Sequence, residues 1–165
     1  MSARVAIVGG GLSGLHAAAL LERQGIHDWV LLEARPRLGG RIWSVSSAGL
    51  ATADGIDRFD LGPAWFWPDL QTRLDRLVQQ LGLTRFGQHE AGATLVERSP
   101  GEPALRVRGH VGVPPSMRLQ GGMGALVDAL QRRLDPARVV TGFHVRQLRI
   151  DGTDVAVTGT DASGG

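Results

Sequence analysis

Three glycines near the start of the chain have the spacing of a motif that binds a diphosphate. Gly9, Gly11 and Gly14 form the pattern G-x-G-x-x-G. In this motif the first glycine permits a tight turn, the second lets a diphosphate approach the backbone, and the third lets a helix pack closely on a strand. The N–H groups that begin the following helix then favour negatively charged phosphates. The spacing therefore predicts a dinucleotide-binding turn.

A carboxylate stands where such a site needs one. Glu33 follows Gly14 by 19 residues and ends a second apolar run, Trp29–Glu33. A carboxylate there accepts hydrogen bonds from ribose hydroxyls and repels a 2′-phosphate, by roughly 4 kcal/mol for unit charges about 4 Å apart at an effective dielectric of about 20. The residues thus predict that the site binds a dinucleotide with an unphosphorylated ribose. They do not decide whether this dinucleotide is NAD or FAD.

The elements that must position these residues are a strand, a helix and a second strand. The β-branched run Arg4–Val8 predicts a strand buried on both faces of a parallel sheet. The Leu- and Ala-rich segment from Ser13 to Gln24 predicts a helix that Gly25 ends. Trp29–Glu33 predicts the parallel partner strand, reached by a right-handed crossover.

The remaining segments alternate between helix and strand signals. Leucines at helical spacing predict an amphipathic helix within residues 69–82, and short alternating runs predict antiparallel strands within 93–113. Gly121-Gly122 precedes a further predicted helix that ends near Leu134. A strand over Arg138–Thr141 and a hairpin with its turn at Asp151-Gly152 complete the prediction.

Four blocks of the sequence resemble a known family. Residues 33–43, Glu-Ala-Arg-Pro-Arg-Leu-Gly-Gly-Arg-Ile-Trp, are similar to the E-A-x-x-x-x-G-G-R signature of the flavin-containing amine oxidases, which include monoamine, polyamine and L-amino-acid oxidases. Residues 60–65 resemble the next block of that family. Residues 119–123 resemble the segment that opens its return to the FAD domain, and residues 143–158 resemble its adenine-contacting strand and hairpin.

The resemblance implies an α/β, Rossmann-like FAD-binding fold of the GR2 type, incomplete relative to the family. This fold would contain a parallel sheet, a βαβ dinucleotide unit and an antiparallel hairpin or meander. Residues 1–68 would form the βαβ unit with a flavin-adjacent loop. Residues 69–118 would form part of a substrate domain with helical and antiparallel segments, and residues 119–165 would return to the FAD-binding domain.

The resemblance also implies cofactor contacts at matching positions. The amides around Leu12 and Ser13 would hold the diphosphate, Arg41 would contact the phosphates, and Val145 would meet adenine through its main chain. The stretch from Gly62 to Trp65 would run past the flavin ring, although Pro63 replaces a small residue and has no N–H to donate. The implied set is Gly9, Gly11, Leu12, Ser13, Gly14, Glu33, Ala34, Arg35, Gly40, Arg41, Gly62, Pro63, Ala64, Trp65 and Val145.

The implied function is the FAD-binding component of a flavin-dependent amine or amino-acid oxidase. In that chemistry a hydride passes from a C–N bond to non-covalently bound FAD, and O2 reoxidises the flavin and yields H2O2. Members of the family are much longer, so the resemblance implies a complementary polypeptide carrying the C-terminal part. Two alternatives remain: a non-catalytic nucleotide-binding module or truncated relic, and a related FAD-dependent desaturase or protoporphyrinogen-oxidase-like enzyme.

Composition excludes several other kinds of chemistry. The 165 residues include 18 basic and 16 acidic side chains, and every basic one is arginine. With no lysine and no cysteine, the chain supplies no Schiff base, disulfide, thiolate nucleophile or cysteine-linked flavin. The net charge of +2 without a basic stripe argues against a nucleic-acid partner.

The remaining signals argue against a metal site and a membrane span. The histidines lack the spacing of metal ligands, so we expect no bound metal. No apolar run is long enough to cross a membrane, so we expect a cytoplasmic protein. No catalytic residue is assigned, and we expect Asp57 and Asp60 to form a solvated pair.

Overall fold

The computed structural model describes two compact units within the chain. One unit contains residues 1–64 and 121–165, and the other contains residues 65–120. The residues described within them are 2–48, 57–89, 92–108 and 114–161.

Runs of strands separate the α-helices in the residues that the structure describes. The first unit begins with β1 (Val5–Val8), α1 (Leu12–Arg23), β2 (Trp29–Glu33), β3 (Ser44–Ser46) and β4 (Arg58–Asp60). The second unit contains α2 (Thr72–Gln80), β5 (Arg85–Gly87), β6 (Ala93–Val96), β7 (Leu105–Arg108) and β8 (Met117–Leu119). The first unit resumes with α3 (Gly124–Gln131), a 3-10 turn (Pro136–Arg138), β9 (Val139–Thr141), β10 (His144–Asp151) and β11 (Asp154–Thr160).

A parallel three-stranded sheet forms the centre of the first unit. Its order is β1-β2-β9, with Ile7 opposite Leu31 and Leu31 opposite Val139. All five residues of β2 are buried, as expected for a continuous apolar strand with a partner on each side. The predicted βαβ unit is therefore present, and its second strand is central in the described sheet.

The first strand is less buried than its sequence predicts. Ala6 and Val8 of β1 are exposed, Val8 at 53%. In the ranges that the structure describes, β1 pairs only with β2, so it is an edge strand. The expectation of burial on both faces was wrong because the β-branched composition does not reveal the position of a strand within a sheet.

Helices α1 and α3 pack together in the first unit. Leu15 and Ala18 of α1 are completely buried, as is Leu126 of α3, and Leu130 is nearly so. These residues lie three or four positions apart, the spacing that places side chains on one helix face. The core formed in this way holds the start of α1 against the end of β1.

The predicted hairpin is formed by β10 and β11. Leu148 lies opposite Val157, Ile150 lies opposite Val155, and Gly152 in the turn has a φ of +63°. Because side chains alternate along a strand, these four residues share one face. Leu148, Ile150 and Val155 are 58%, 80% and 59% exposed. The hairpin thus presents an apolar face to solvent.

The second unit contains α2 and two antiparallel pairs, β5 with β8 and β6 with β7. Val78 of α2 and Phe66 are completely buried, and Phe66 exchanges two main-chain hydrogen bonds with Met117. The predicted helix and the pair within residues 93–113 are present. Strands β5 and β8 have only three residues each, too few for an alternating pattern to stand out.

Candidate functional site

The turn between β1 and α1 depends on its glycines. Gly9 has a φ of +104°, which side-chain-bearing residues rarely adopt, and its N–H donates to Leu32 O at 2.8 Å. A Cβ atom at Gly14 would lie 1.9 Å from Gly9 O. The third glycine of the motif therefore lets the first turn of α1 lie directly against the end of β1.

The start of α1 has N–H groups at this turn that lack an acceptor within the helix. Gly11 is the N-cap, no side chain caps the helix, and no acidic residue lies in its first turn. The first helical hydrogen bond runs from Leu15 N to Gly11 O, so the amides of Leu12, Ser13 and Gly14 have no acceptor within the helix. This helix end, with its positive dipole, suits an anion such as a diphosphate.

The carboxylate of Glu33 lies next to this turn. Glu33 is 7% exposed; its Oε2 accepts from the Gly10 N–H at 2.6 Å and its Oε1 from the Arg35 N–H at 2.8 Å. Each carboxylate oxygen can accept a second hydrogen bond. The two amides hold the carboxylate in one orientation and leave acceptor capacity for a pair of ribose hydroxyls.

Gly10 is a residue of the site that the motif alone does not reveal. A Cβ atom at this position would lie 2.5 Å from Leu38 Cδ2 and 3.0 Å from Glu33 Cβ. The absence of a side chain therefore lets both β2 and the segment after it approach the turn. The signal in the sequence is the run of three consecutive glycines, of which the motif uses only two.

A second glycine pair, Gly39 and Gly40, packs on Gly10 and Gly11 of the turn before α1. The Gly39 N–H donates to Gly10 O at 2.8 Å, and a Cβ atom at Gly40 would lie 3.2 Å from the Cα of Gly11. The next residue, Arg41, is exposed and has no hydrogen-bond or ion-pair partner among the described residues. An exposed arginine beside two glycine turns suits a bidentate contact to phosphate.

The beginning of β10 lies beside the end of β2. The Phe143 N–H donates to Glu33 O, and the Gly142 N–H donates to Arg35 O, both at 3.0 Å. Val145 follows two residues later, half-buried, opposite Gly159. The strand predicted to contact adenine is thus attached to the segment that carries Glu33, with exposed Ala34 and Arg35 between the two bonds.

The segment predicted to pass the flavin ring is divided between the two units. The Leu61 N–H donates to Trp43 O at 2.8 Å, and a Cβ atom at Gly62 would lie 2.2 Å from Arg41 O. Gly62 and Pro63 are exposed and Ala64 is half-buried. Trp65 begins the other unit and is 55% exposed. The structure therefore brings Gly62 to the main chain of Arg41, and it describes Trp65 only within the second unit.

Asp60 is not the solvated residue that the sequence led us to expect. Its Oδ1 accepts from Ser44 Oγ at 2.5 Å and from the Met123 N–H at 2.9 Å. Ser44 Oγ in turn accepts from the Gly124 N–H at 2.8 Å. The hairpin β3–β4 thus caps the start of α3. Asp57, in contrast, is exposed. Sequence reasoning missed these bonds because they join residues 63 and 80 positions apart.

Arg58 ties the same hairpin to α3. Its side chain is 6% exposed, its Nε donates to Gly121 O at 2.8 Å, and its Nη1 donates to Asp128 Oδ2 at 2.8 Å. Nothing in the sequence distinguishes Arg58 from the other arginines. Because β3–β4 connects the 39–41 segment with Gly62, this ion pair stabilises the part of the fold that carries both.

Metal-binding clusters and membrane-spanning helices are absent from the residues that the structure describes. In ranges 2–48, 57–89, 92–108 and 114–161, no group of three or more His, Asp and Glu side chains could hold a metal ion. No helix in these same ranges is long and apolar enough to cross a bilayer.

Comparison with known proteins identifies relatives of this chain. Residues 12–110 match the family described as flavin containing amine oxidoreductase. The chain is 43% identical over 82 residues to amine oxidase [flavin-containing] A of Sus scrofa, an alignment that covers 50% of this chain and 14% of that protein. It is 40% identical over 91 residues to putrescine oxidase of Kocuria rosea, which covers 55% of this chain and 17% of that protein.

Solved structures of putrescine oxidase have the same fold. The structure of the wild type bound to putrescine matches with a TM-score of 0.79 at 19% identity, covering 96% of this chain and 55% of that one. A triple mutant matches with a TM-score of 0.78 over 95% of this chain and 54% of that one. This likeness confirms the predicted FAD-binding fold. The chain spans about half the length of these structures.

Proposed function

Because this chain belongs to the flavin containing amine oxidoreductase family, we propose that it is the FAD-binding component of an amine or amino-acid oxidase. The observation that carries the proposal is the Glu33 carboxylate, hydrogen-bonded to the Gly10 N–H beside the uncapped start of α1. An acceptor for ribose hydroxyls and a set of donors for a diphosphate thus lie side by side, in the order that an adenine dinucleotide requires.

The residues present fit non-covalent FAD. The close approach of Gly40 to Gly11 leaves main chain without side chains where a diphosphate would lie. The spare acceptor capacity of the Glu33 carboxylate suits an unphosphorylated ribose. This chain has no cysteine, so it supplies no thioether link to the flavin itself. Family membership favours FAD over NAD.

The protein contributes binding and orientation to the proposed reaction. When bound, the flavin supplies the chemistry, accepting a hydride from a C–N bond and returning electrons to O2. The amides of Leu12 and Ser13 stabilise the diphosphate charge, and Arg41 adds a cation that can pair with phosphate. Glu33 would orient the adenosine ribose, and the main chain near Val145 would meet adenine. This anchored adenosine end determines where the flavin end lies.

We further propose that a complementary polypeptide carries the C-terminal part of the oxidase. The matched structures are almost twice as long as the aligned region. Two apolar surfaces in the first unit are exposed: the edge strand β1, with Val8, and the hairpin face that contains Leu148, Ile150 and Val155. Exposed apolar surfaces of this kind mark interaction sites. The small amine or amino acid that is oxidised would bind mainly to residues of that polypeptide.

Reconstitution tests this function. The chain, the complementary polypeptide and FAD are combined without oxygen, and a primary amine, a polyamine or an amino acid is added. We expect the visible flavin absorption to bleach with at least one of these compounds, and oxygen to restore it with release of peroxide, because the flavin accepts the hydride. The chain alone should bind a hydrophobic dye, and the amount of bound dye should fall when the complementary polypeptide is added.

Other outcomes of the reconstitution identify the competing functions. A colourless assembly that takes up no FAD would identify a nucleotide-binding module without turnover. Bleaching only with a polyene or a porphyrinogen would identify a desaturase or a porphyrinogen oxidase. A chain that runs alone as a compact monomer and binds no hydrophobic dye would contradict the proposed complementary polypeptide.

A further inference from the structure

The guanidinium of Arg37 is bonded to the main chain of the loop that follows it. Its Nη2 donates to Gly40 O at 3.0 Å, and its Nη1 donates to Leu38 O and to Ile42 O, each at 3.3 Å. A planar guanidinium has five N–H donors in fixed directions, so one side chain can hold several carbonyls together. Arg37 thus ties three carbonyls of a five-residue segment to one point.

The same guanidinium lies over an aromatic ring. Its central carbon is 5.1 Å from the centroid of the Trp43 ring, within the range of a cation–π contact. Because the carbonyls and the ring already engage Arg37, its charge is less available to a ligand than that of Arg41. Arg41 is exposed and has no partner in the part of the chain that the structure describes.

The segment that Arg37 holds needs such support. Gly39 and Gly40 have φ values of +100° and +60°, and glycines lose more conformational freedom on ordering than other residues. In this conformation the Gly39 N–H reaches Gly10 O at 2.8 Å. The conformation of the 38–42 segment therefore determines how the second glycine pair meets the turn before α1.

We propose that Arg37 is a positioning residue for the dinucleotide diphosphate. It holds the 38–42 segment against the Gly10–Gly11 turn and so directs the Gly40 main chain and the Arg41 side chain toward the phosphates. The inference rests on the proposed dinucleotide site and goes beyond it, because it assigns the shape of the phosphate site to a side chain that does not itself bind phosphate.

Binding of three ligands to one pair of variants tests the proposal. FAD, ADP and adenosine are titrated into the wild-type chain, Arg37→Ala and Arg37→Lys, with Arg23→Ala, an exposed arginine at the end of α1, as the matched control. We expect Arg37→Ala to weaken FAD and ADP roughly ten- to a hundredfold and to leave adenosine unchanged, because only the first two carry a diphosphate. Arg37→Lys should restore little of the affinity for FAD and ADP, since a lysine ammonium cannot reproduce the planar fork of N–H donors that the guanidinium has.

A second readout follows the loop without any ligand. Hydrogen exchange at the Gly39 amide, which is bonded to Gly10 O, should accelerate at least tenfold in Arg37→Ala, while amides of β2 remain unchanged. In the double variant Arg37→Ala with Arg41→Ala, the loss of FAD affinity should be smaller than the sum of the losses in the two single variants. The reason is that both residues act on the same phosphates.

The possible failures are distinct. Equal weakening of FAD, ADP and adenosine in Arg37→Ala would show a general role in folding and overturn the positioning role. Wild-type affinity for FAD and ADP in that variant would overturn it as well and leave the proposed function intact. A wild-type chain that takes up neither FAD nor ADP, alone or with the complementary polypeptide, would overturn the proposed function, and the inference with it.

Discussion

Gly14→Ala is expected to weaken FAD binding severely, because its methyl group would lie 1.9 Å from Gly9 O. Relief of this overlap requires α1 to move away from β1. Leu15 and Ala18 of α1 are completely buried, however, and Gly9 is bonded to Leu32 O. Forcing atoms into a packed region costs typically 1–3 kcal/mol and occasionally more, and a backbone oxygen is among the least able to give way. We expect FAD affinity to fall at least a hundredfold.

Gly87→Ala is the matched control for this substitution. A Cβ atom at Gly87, in β5, would have no other atom within 4 Å, and the residue does not have a positive φ. The same chemical change should therefore leave FAD affinity unchanged. Calorimetric titration of both variants, with circular dichroism to follow folding, makes the comparison. A Gly14→Ala variant that binds FAD as tightly as Gly87→Ala would contradict the packing described for the turn.

The second large effect is expected on stability. Arg58→Ala should lower the free energy of unfolding by about 3 kcal/mol. The Arg58 side chain is only 6% exposed, and its removal leaves the Asp128 carboxylate and the Gly121 carbonyl without this hydrogen-bond partner. Asp128 retains partial exposure, which places the effect at the lower end of the range for buried pairs. Urea denaturation measures the change, with the transition followed by circular dichroism.

Two further variants check the origin of that loss. Arg132→Ala removes an exposed arginine next to the end of α3 and should change stability by less than about 0.5 kcal/mol. The double variant Arg58→Met with Asp128→Leu should be more stable than the sum of the single losses predicts, because no charge is left unpaired. A loss below about 1 kcal/mol for Arg58→Ala would show that the ion pair contributes little to holding β3–β4 on α3.

The sequence was informative where the physical signals are local. A β-branched run, a glycine turn and a Leu- and Ala-rich stretch predicted β1 and α1, since each depends on neighbouring residues. Glu33 could be identified because the length of one helix determines its distance from Gly14. The turn at Gly152 was visible because the Asp-Gly pair itself favours it.

Other features depend on residues far apart in the chain and could not be predicted. The bonds that place Asp60 and Ser44 at the start of α3 bridge 63 and 80 positions, and the Arg58–Asp128 pair bridges 70. The exposure of Val8 follows from sheet order rather than from its own type. Arg37 is one of 18 arginines, and only the folded loop shows that it holds three carbonyls.

The central claim is that the Glu33 carboxylate and the start of α1 together bind an adenine dinucleotide. Calorimetric titration of FAD into the wild-type chain and into Glu33→Gln tests it most directly, with exposed Glu102→Ala as the control. Hydrogen bonds to a charged group contribute about 1.5–3 kcal/mol each, so we expect Glu33→Gln to bind FAD at least tenfold more weakly, while Glu102→Ala matches the wild type. Failure of the wild-type chain to take up FAD both alone and with the complementary polypeptide, or a Glu33→Gln variant with unchanged affinity, would contradict the claim.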